Sequence, residues 1–170
     1  MAHDLSMHER DIVELATLVG QELKSRGLIL ATAESCTGGG VAQAITEIAG
    51  SSAWFDCGFV TYSNASKMAL LNVPADVLEQ HGAVSNETAA AMCRGALRNS
   101  QASVALSTTG IAGPDGGVPG KPVGTIYFGW AGGDVLQVER MQFDGDRRFV
   151  REQTVKHSLR GILKLLAQLG

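Results

Sequence analysis

Cysteine is scarce in this chain. The three that occur among 170 residues, Cys36, Cys57 and Cys93, are widely spaced. An odd number at this spacing gives neither a disulfide framework nor a CxxC pair. This usage is typical of a reducing compartment, so we expect a cytoplasmic protein.

The chain also lacks long apolar runs, a leader-like start and an excess of positive charge. No apolar stretch approaches the roughly 20 residues that a membrane-spanning helix needs. The opening residues, MAHDLSMHERD, carry acids and histidines where a signal peptide has its apolar core. The net charge is −3, so bulk electrostatics do not favour a nucleic-acid partner. We therefore expect no membrane and no nucleic acid among the partners.

What the sequence does contain is a regular alternation of apolar segments. The length fits one domain with a real core, residues 1–170. The runs LILATA, CGFVTYS and ASVALSTTG are typical of buried strands, and Gly132-Gly133 separates two further strands as in a hairpin. We therefore predict an α/β fold, a three-layer α/β/α domain with a mixed sheet. The predicted helices cover about 6–26, 37–48, 64–72 and 85–99, and a last one follows Asp146.

The stretch AESCTGGG, residues 33–40, connects the first strand to the second helix. Ligand sites of open α/β sheets gather where strands end and helices begin. Ser35 could attack a carbonyl there while nearby N–H groups stabilise the oxyanion. The alternative is that small residues only let strand and helix pack closely. The turn is neither a GxSxG elbow nor a P-loop.

A second segment, VTYSNASKMALL, follows another strand and places Tyr62 five residues before Lys67. A lysine near a serine can act as its base if burial lowers the lysine pKa. A tyrosine nearby can relay a proton or keep the serine and the lysine correctly positioned. The alternative is a solvated lysine and an amphipathic core tyrosine.

A third segment, STTGIAGPDGGVPGKPVG, spans residues 107–124 and is rich in glycine. Thr108, Thr109 and the N–H groups from Gly110 onward could cradle a phosphate or a carbonyl oxygen. The alternative is a mobile surface loop shaped by its prolines. Asp115 argues mildly against an anion at the tip of this loop.

Three arginines, Arg147, Arg148 and Arg151, cluster at the start of the last helix. Cations are unfavourable at a helix N-terminus, so an anionic ligand would explain them. The alternative is that nearby acidic side chains satisfy them internally.

Two other residue types give weaker signals. The four histidines have no metal-ligand spacing, so we expect no zinc site. Cys36 adjoins Ser35 but has no recognisable partner histidine, and we interpret it as a packing residue.

Together these motifs resemble the CinA C-terminal domain family, the nicotinamide-nucleotide amidohydrolases. The resemblance runs from about residue 6 to residue 169. It rests on several ordered motifs at compatible spacings: AESCTGG, VTYSNASKMALLNVP, GAVSNETAAAM, STTGIAGPDGG, KPVGTIYFGWA and FDGDRRFVREQTV.

The resemblance implies a deamidase that converts nicotinamide mononucleotide and water to nicotinate mononucleotide and ammonia, in pyridine-nucleotide recycling. The family's nucleophile falls on Ser35, its lysine base on Lys67 and its assisting tyrosine on Tyr62. No metal or organic cofactor is implied, and a homodimer is compatible with the family. The family's ligand-binding threonine falls on Thr109, and its arginine cluster on Arg147, Arg148 and Arg151. The N–H groups near Thr37 and Gly38 could stabilise the oxyanion, and the arginines with the loop at Gly110 would hold the phosphate.

One expectation about architecture and two alternatives accompany this interpretation. Longer relatives carry an N-terminal domain that resembles molybdopterin-binding folds and is associated with pyrophosphatase activity, and we expect this chain to be the stand-alone form without that activity. A non-catalytic nucleotide-binding module would use the same loops and arginines without turnover. Another serine-dependent amidase would keep Ser35 and Lys67 without requiring the arginines.

Overall fold

The computed structural model describes residues 10–170, and this part of the chain forms six α-helices and five strands. No helix within it combines the length and apolar character needed to cross a bilayer. The elements in chain order are α1 (Ile12–Arg26), β1 (Leu30–Glu34), α2 (Gly40–Thr46), β2 (Phe55–Val60), α3 (Asn64–Leu71), α4 (Ala75–His81), α5 (Asn86–Arg98), β3 (Val104–Gly110), β4 (Thr125–Gly132), β5 (Val135–Gln142) and α6 (Arg147–Gln168).

The strands form one mixed sheet in the order β2-β1-β3-β4-β5. Strand β1 pairs in parallel with β2 and β3, whereas β3-β4 and β4-β5 are antiparallel. Helices α1, α2 and α6 cover one face, and α3, α4 and α5 cover the other. The predicted three-layer α/β/α architecture with a mixed sheet is confirmed.

The two faces of the sheet differ in side-chain size, because successive strand residues point to opposite faces. The face under α1 and α6 carries the large residues, among them Leu30, Leu106, Phe128 and Trp130. The face under α5 carries Ala31, Ala33, Ala105 and Ala131. Helix α5 can therefore approach closely, and the Ser107 hydroxyl donates to the Ala89 carbonyl of α5 at 2.6 Å.

Two helices begin later than the sequence predicts. Helix α1 begins at Ile12 rather than near residue 6, because Asp11 and Glu14 form a capping box that fixes the first turn. Residue 6 itself lies outside the described residues. Helix α2 begins at Gly40 rather than at Thr37, because Gly38 and Gly39 adopt positive φ angles of 61° and 98° and hold the preceding residues in a turn.

Other predicted boundaries are confirmed by their caps. Ser85 accepts from the Thr88 N–H at the start of α5, and Asp146 accepts from the Phe149 N–H at the start of α6. Helix α4 was not predicted, although Pro74 lies directly before it and proline is common at the start of helices.

The three parallel strands end at the same edge of the sheet. Glu34 at the end of β1 is in register with Val60 of β2 and Thr108 of β3. The pairing continues past the strand, since the Ser35 N–H donates to the Thr108 carbonyl at 3.0 Å. The backbone after β1 is therefore fixed between its two neighbours.

The contact of α5 with α3 predicts the effect of one small substitution. A Cβ at Gly95 would collide with the backbone carbonyl of Leu71, which cannot move as a flexible side chain would. We expect Gly95→Ala to lower the free energy of unfolding by roughly 1–3 kcal/mol, although alanine favours helices by about 1 kcal/mol over glycine. Urea denaturation measures this, with the exposed Arg94→Ala on the same helix as control. Equal stability of Gly95→Ala and wild type would contradict the close approach.

Candidate active site

Ser35 and Lys67 meet at the carboxyl edge of the sheet. The Lys67 Nζ lies 3.0 Å from the Ser35 Oγ. Ser35 follows β1 directly, and Lys67 lies in the first turns of α3, whose start is fixed by the Ser63 cap. Both residues are buried, with Lys67 1% exposed. The structure thus brings together two residues that the sequence singled out 32 positions apart.

The amine of Lys67 has two further contacts, the carbonyls of Thr61 at 2.9 Å and Tyr62 at 3.3 Å. A neutral amine has two N–H donors for these carbonyls and keeps its lone pair for the Ser35 hydroxyl. A charged ammonium can donate to all three oxygens. The surroundings therefore accommodate both protonation states of Lys67.

Burial lowers the pKa of Lys67 from its usual range, because the charged form loses its hydration. No ion pair with a carboxylate opposes this shift within residues 10–170. A lowered pKa raises the fraction of neutral amine near neutral pH, which is the form that can accept a proton from Ser35.

The turn after Ser35 uses some of its N–H groups internally and leaves others open. The Gly38 N–H donates to the Ser35 carbonyl at 3.0 Å, so this predicted ligand donor is already occupied. The N–H groups of Cys36 and Thr37 donate to no other residue of the described chain. Of the two predicted positions, Thr37 therefore keeps an available amide and Gly38 does not.

Glu34 is buried directly beside the nucleophile candidate and was not among the predicted site residues. Its carboxylate accepts from the N–H groups of Val41 at 2.8 Å and Ala42 at 3.0 Å, the first turn of α2. It also accepts from the Thr37 hydroxyl at 2.6 Å. A carboxylate of the protein thus occupies the positive end of α2, so this helix start is closed to a substrate anion.

Arg151 holds the same turn from α6. Its guanidinium donates to the carbonyls of Cys36 and Thr37, each at 3.2 Å. The C=O of Cys36 and the N–H of Thr37 belong to one planar trans peptide and point in opposite directions. Arg151 therefore orients the open Thr37 N–H away from α6. Because its guanidinium is hydrogen-bonded to the turn, Arg151 is not a free ligand-binding group.

The thiol of Cys36 does not compete as the nucleophile. Burial raises the pKa of Cys36 to about 12, so the group stays a thiol at neutral pH. Its side chain belongs to the core cluster under α1 and α6, in agreement with its interpretation as a packing residue.

Tyr62 reaches the site in a different way from that expected. Its backbone carbonyl contacts Lys67, while its hydroxyl accepts from the Arg147 guanidinium at 3.3 Å. The phenol has no hydrogen bond to Ser35 or Lys67 in the part of the chain described here. Tyr62 is 65% exposed and lies at the open side of the cavity.

A cavity of about 260 Å³ opens on Ser35 and Lys67. Its walls include Tyr62, Arg147, the 109–116 segment and the loop before α5 at Ala83 and Val84. This volume lies slightly below the range typical of small-molecule pockets. The cavity suits a small planar group with the rest of a ligand extending outward.

Thr109 and Gly110 line this cavity at the end of β3, as predicted. The Thr109 hydroxyl, however, donates to the Ala83 carbonyl at 2.7 Å. Lys121 also donates to the carbonyl of Val84 in the same loop. Thr109 therefore fixes a wall of the cavity and has only its oxygen lone pairs left to offer. Ala83 and Val84 lie in the motif GAVSNETAAAM but were not predicted as site residues, because apolar side chains do not by themselves indicate a chemical role.

The three arginines predicted as one anion cluster separate in the structure. Arg147 lines the Ser35 cavity and donates to the Gly113 carbonyl at 2.7 Å. Arg148 is exposed and pairs with Glu152 at 3.3 Å. Arg148, Arg151 and the predicted Thr37 line a different cavity, of about 470 Å³, between α1, α2 and α6, and Thr37 is not among the residues that line the Ser35 cavity. Only Arg147 of the three stands beside Ser35 and Lys67.

Within residues 10–170, no three His, Cys, Asp or Glu side chains are grouped as metal ligands. His157 is instead a packing residue of α6. It contacts the rings of Phe128 and Trp130, and its Nε2 lies 2.9 Å from the Glu139 Oε1. His3 and His8 lie outside the described residues.

Along most of its length, this chain is similar to known proteins of one family. The CinA C-terminal domain model matches residues 12–166. The nicotinamide-nucleotide amidohydrolase PncC of Pseudomonas putida is 53% identical over 154 residues, 91% of this chain and 96% of that protein. The protein of the same name from Escherichia coli K12 is 47% identical over 163 residues, 95% of this chain and 99% of that protein.

Solved structures of this family are similar to this chain as well. The crystal structure of a competence-damaged protein (CinA) superfamily member from Klebsiella pneumoniae has a TM-score of 0.90 and 38% identity, covering 94% of this chain and 99% of that one. The resemblance read from the motifs is thereby confirmed, and this chain belongs to the CinA C-terminal domain family.

Proposed function

We propose that this protein is a nicotinamide-nucleotide amidohydrolase, which hydrolyses nicotinamide mononucleotide to nicotinate mononucleotide and ammonia. The observation that carries the proposal is the buried contact of 3.0 Å between the Lys67 amine and the Ser35 hydroxyl. A serine with a desolvated lysine base is suited to attack on an amide carbonyl. Relatives that are 47–53% identical over most of the chain carry this name.

In the first half-reaction, Ser35 Oγ attacks the carboxamide carbon while its proton moves to the neutral Lys67 amine. The carbonyl oxygen becomes an oxyanion, and the C–N bond then breaks. The leaving nitrogen takes the proton from Lys67 and departs as ammonia. Ser35 remains as an ester of the nicotinoyl group, and Lys67 is neutral again.

In the second half-reaction, water attacks this ester with Lys67 as its base. Collapse of the second tetrahedral intermediate returns the proton from Lys67 to Ser35 Oγ and releases the carboxylic acid, which loses its remaining proton to solvent and becomes the carboxylate. The carbonyls of Thr61 and Tyr62 stabilise Lys67 in both charge states. The proposal requires no electron transfer.

The oxyanion needs donors placed before the reaction begins. We assign this role to the open N–H groups of Cys36 and Thr37, since the Gly38 N–H and the first N–H groups of α2 have internal acceptors. Removal of one such donor typically costs about 3–4 kcal/mol of transition-state stabilisation.

Arg147 is the candidate for binding the 5′-phosphate. Two contacts, to Gly113 and Tyr62, occupy part of its guanidinium. A guanidinium has five N–H donors, so others remain for phosphate oxygens. Arg147 stands at the outer part of the cavity beside Tyr62, where a phosphate remote from the carboxamide would lie.

We further propose a cytoplasmic location and no nucleic-acid partner. The three cysteines are free thiols, two of them buried, and the net charge is −3. A homodimer remains part of the proposal on the strength of the family resemblance alone.

Replacement of the nucleophile tests the activity directly. We expect wild-type protein with EDTA to release ammonia from nicotinamide mononucleotide and Ser35→Ala to be at least about a thousandfold slower. Ser25→Ala, on an exposed helix surface, is the matched control. Equal ammonia from Ser35→Ala and wild type would remove Ser35 from its role. Binding without ammonia from either protein would favour the non-catalytic nucleotide-binding module.

The lowered pKa of Lys67 predicts the pH dependence. Only the neutral amine accepts the serine proton. The value of kcat/KM should therefore be low at pH values below the Lys67 pKa and increase as the pH rises through it. The rising limb should lie below the ordinary lysine pKa of about 10.4 and disappear in Lys67→Met. Ammonia release between pH 5 and about 10 measures the profile, with the exposed Lys24→Met as control. A limb that persists in Lys67→Met belongs to another group.

The separation of the arginines predicts unequal effects. Arg147→Ala should raise KM for nicotinamide mononucleotide by about ten- to hundredfold, the loss expected for charge-assisted hydrogen bonds. It should change KM little for nicotinamide riboside, which has no phosphate. Arg148→Ala should leave both substrates unaffected. Equal losses on the two substrates in Arg147→Ala would show that Arg147 does not recognise the phosphate.

A further inference from the structure

The cavity at Ser35 and Lys67 has one acidic side chain on its described walls, Asp115. Asp115 lies two residues after Gly113, whose carbonyl accepts from Arg147. Its carboxylate is exposed and has no hydrogen bond or ion pair with any other described residue. The cavity wall therefore includes an acidic residue whose carboxylate has no partner in the described chain.

The sign of this charge does not suit the phosphate of a nucleotide. A carboxylate beside a phosphate is repulsive, and the two cationic side chains on the described cavity walls, Lys67 and Arg147, form no ion pair with Asp115. The carboxylate instead suits a ligand that carries a positive charge in its planar part. The substrate of the proposed reaction has such a charge on its pyridinium ring.

The aromatic ring of Tyr62 is a second group that favours a positively charged ligand. Tyr62 is an exposed residue and lines the same cavity. The face of an aromatic ring attracts cations, and it also stacks on flat ligands. An aromatic face and an unpaired carboxylate on one small cavity are the groups expected around a flat organic cation.

We propose that Asp115, together with the ring of Tyr62, selects nucleotides with a cationic ring over neutral-ring nucleotides of the same shape. This inference rests on the proposed function and names the feature of the substrate that the site distinguishes. The 113–116 loop would then contact both charged parts of the substrate. Arg147, bound to Gly113, would bind the phosphate, and Asp115 would bind the cationic ring.

The ring keeps its positive charge from the bound substrate through the tetrahedral intermediate. Asp115 and Tyr62 therefore stabilise ground state and transition state alike, which changes KM and leaves kcat nearly unchanged. A residue that only supports the fold would not produce a preference between two ligands of equal shape.

The test compares two ligands on the Ser35→Ala background, which binds without turnover. One is nicotinamide mononucleotide, and the other is the 5′-phosphate of the benzamide C-riboside, in which a ring carbon replaces the charged nitrogen. Calorimetry gives the ratio of their dissociation constants. We expect the cationic ligand to bind more tightly, and Asp115→Asn to reduce that preference by about fivefold, the effect of a partly exposed ion pair.

Matched variants separate charge from shape. Asp115→Glu should retain most of the preference, and Asp134→Asn, in the exposed β4-β5 turn, should retain all of it. Tyr62→Leu should lower the preference, whereas Tyr62→Phe keeps the ring and should preserve it. In the enzyme with Ser35 intact, Asp115→Asn should raise KM for nicotinamide mononucleotide with little change in kcat.

The outcomes distinguish this inference from the proposed function. An unchanged preference in Asp115→Asn, or an equal loss of affinity for both ligands, overturns the role of Asp115 and leaves the deamidase intact. Failure of Ser35→Ala to bind either ligand overturns the proposed function and this inference with it.

Discussion

A lysine amine buried without a carboxylate partner in the described chain is the constraint on which the site depends. Such a burial is unfavourable for an ammonium ion unless hydrogen bonds replace its water. The sheet edge supplies them, because β2 ends at Val60 and leaves the carbonyls of Thr61 and Tyr62 beside Lys67. The parallel pairing of β1 with β2 then sets the distance to Ser35. The arrangement of β1 and β2 thus determines both the distance from Lys67 to Ser35 and the buried surroundings that lower the pKa of Lys67.

Glu34 is another buried charged residue, and its carboxylate needs hydrogen-bond donors where the Lys67 amine needs acceptors. Two N–H groups of α2 and the Thr37 hydroxyl stabilise its carboxylate. Because these donors are occupied, a negative charge that develops on a substrate must be stabilised elsewhere in the turn. The Ser35 turn is therefore the place where an oxyanion can find free amides, although the start of α2 is the more obvious candidate by dipole alone.

The residue patterns were sufficient for the architecture, whereas the pairing of Ser35 with Lys67 was predicted from the family resemblance. Strand-like runs and the glycine-bounded hairpin predict the mixed sheet, and parallel strand ends bring Ser35 and Lys67 to one edge. The arginines show the limit. Adjacent helical residues point about 100° apart, so Arg147 and Arg148 diverge, but Arg151 shares a helix face with Arg147. Its separate role depends on the position of the Ser35 turn over α6, which no local pattern contains.

Arg151 shows how a residue predicted to bind a ligand can act through the backbone instead. Its guanidinium lies 3.2 Å from the Cys36 carbonyl, and a cation at the oxygen of a peptide strengthens the N–H at the other end as a donor. That N–H belongs to Thr37 and is open. Glu34 holds the side chain of the same residue through its hydroxyl. Thr37 is therefore fixed by an anion at its side chain and a cation at its peptide, so its N–H is oriented before any substrate arrives, as electrostatic stabilisation of a transition state requires.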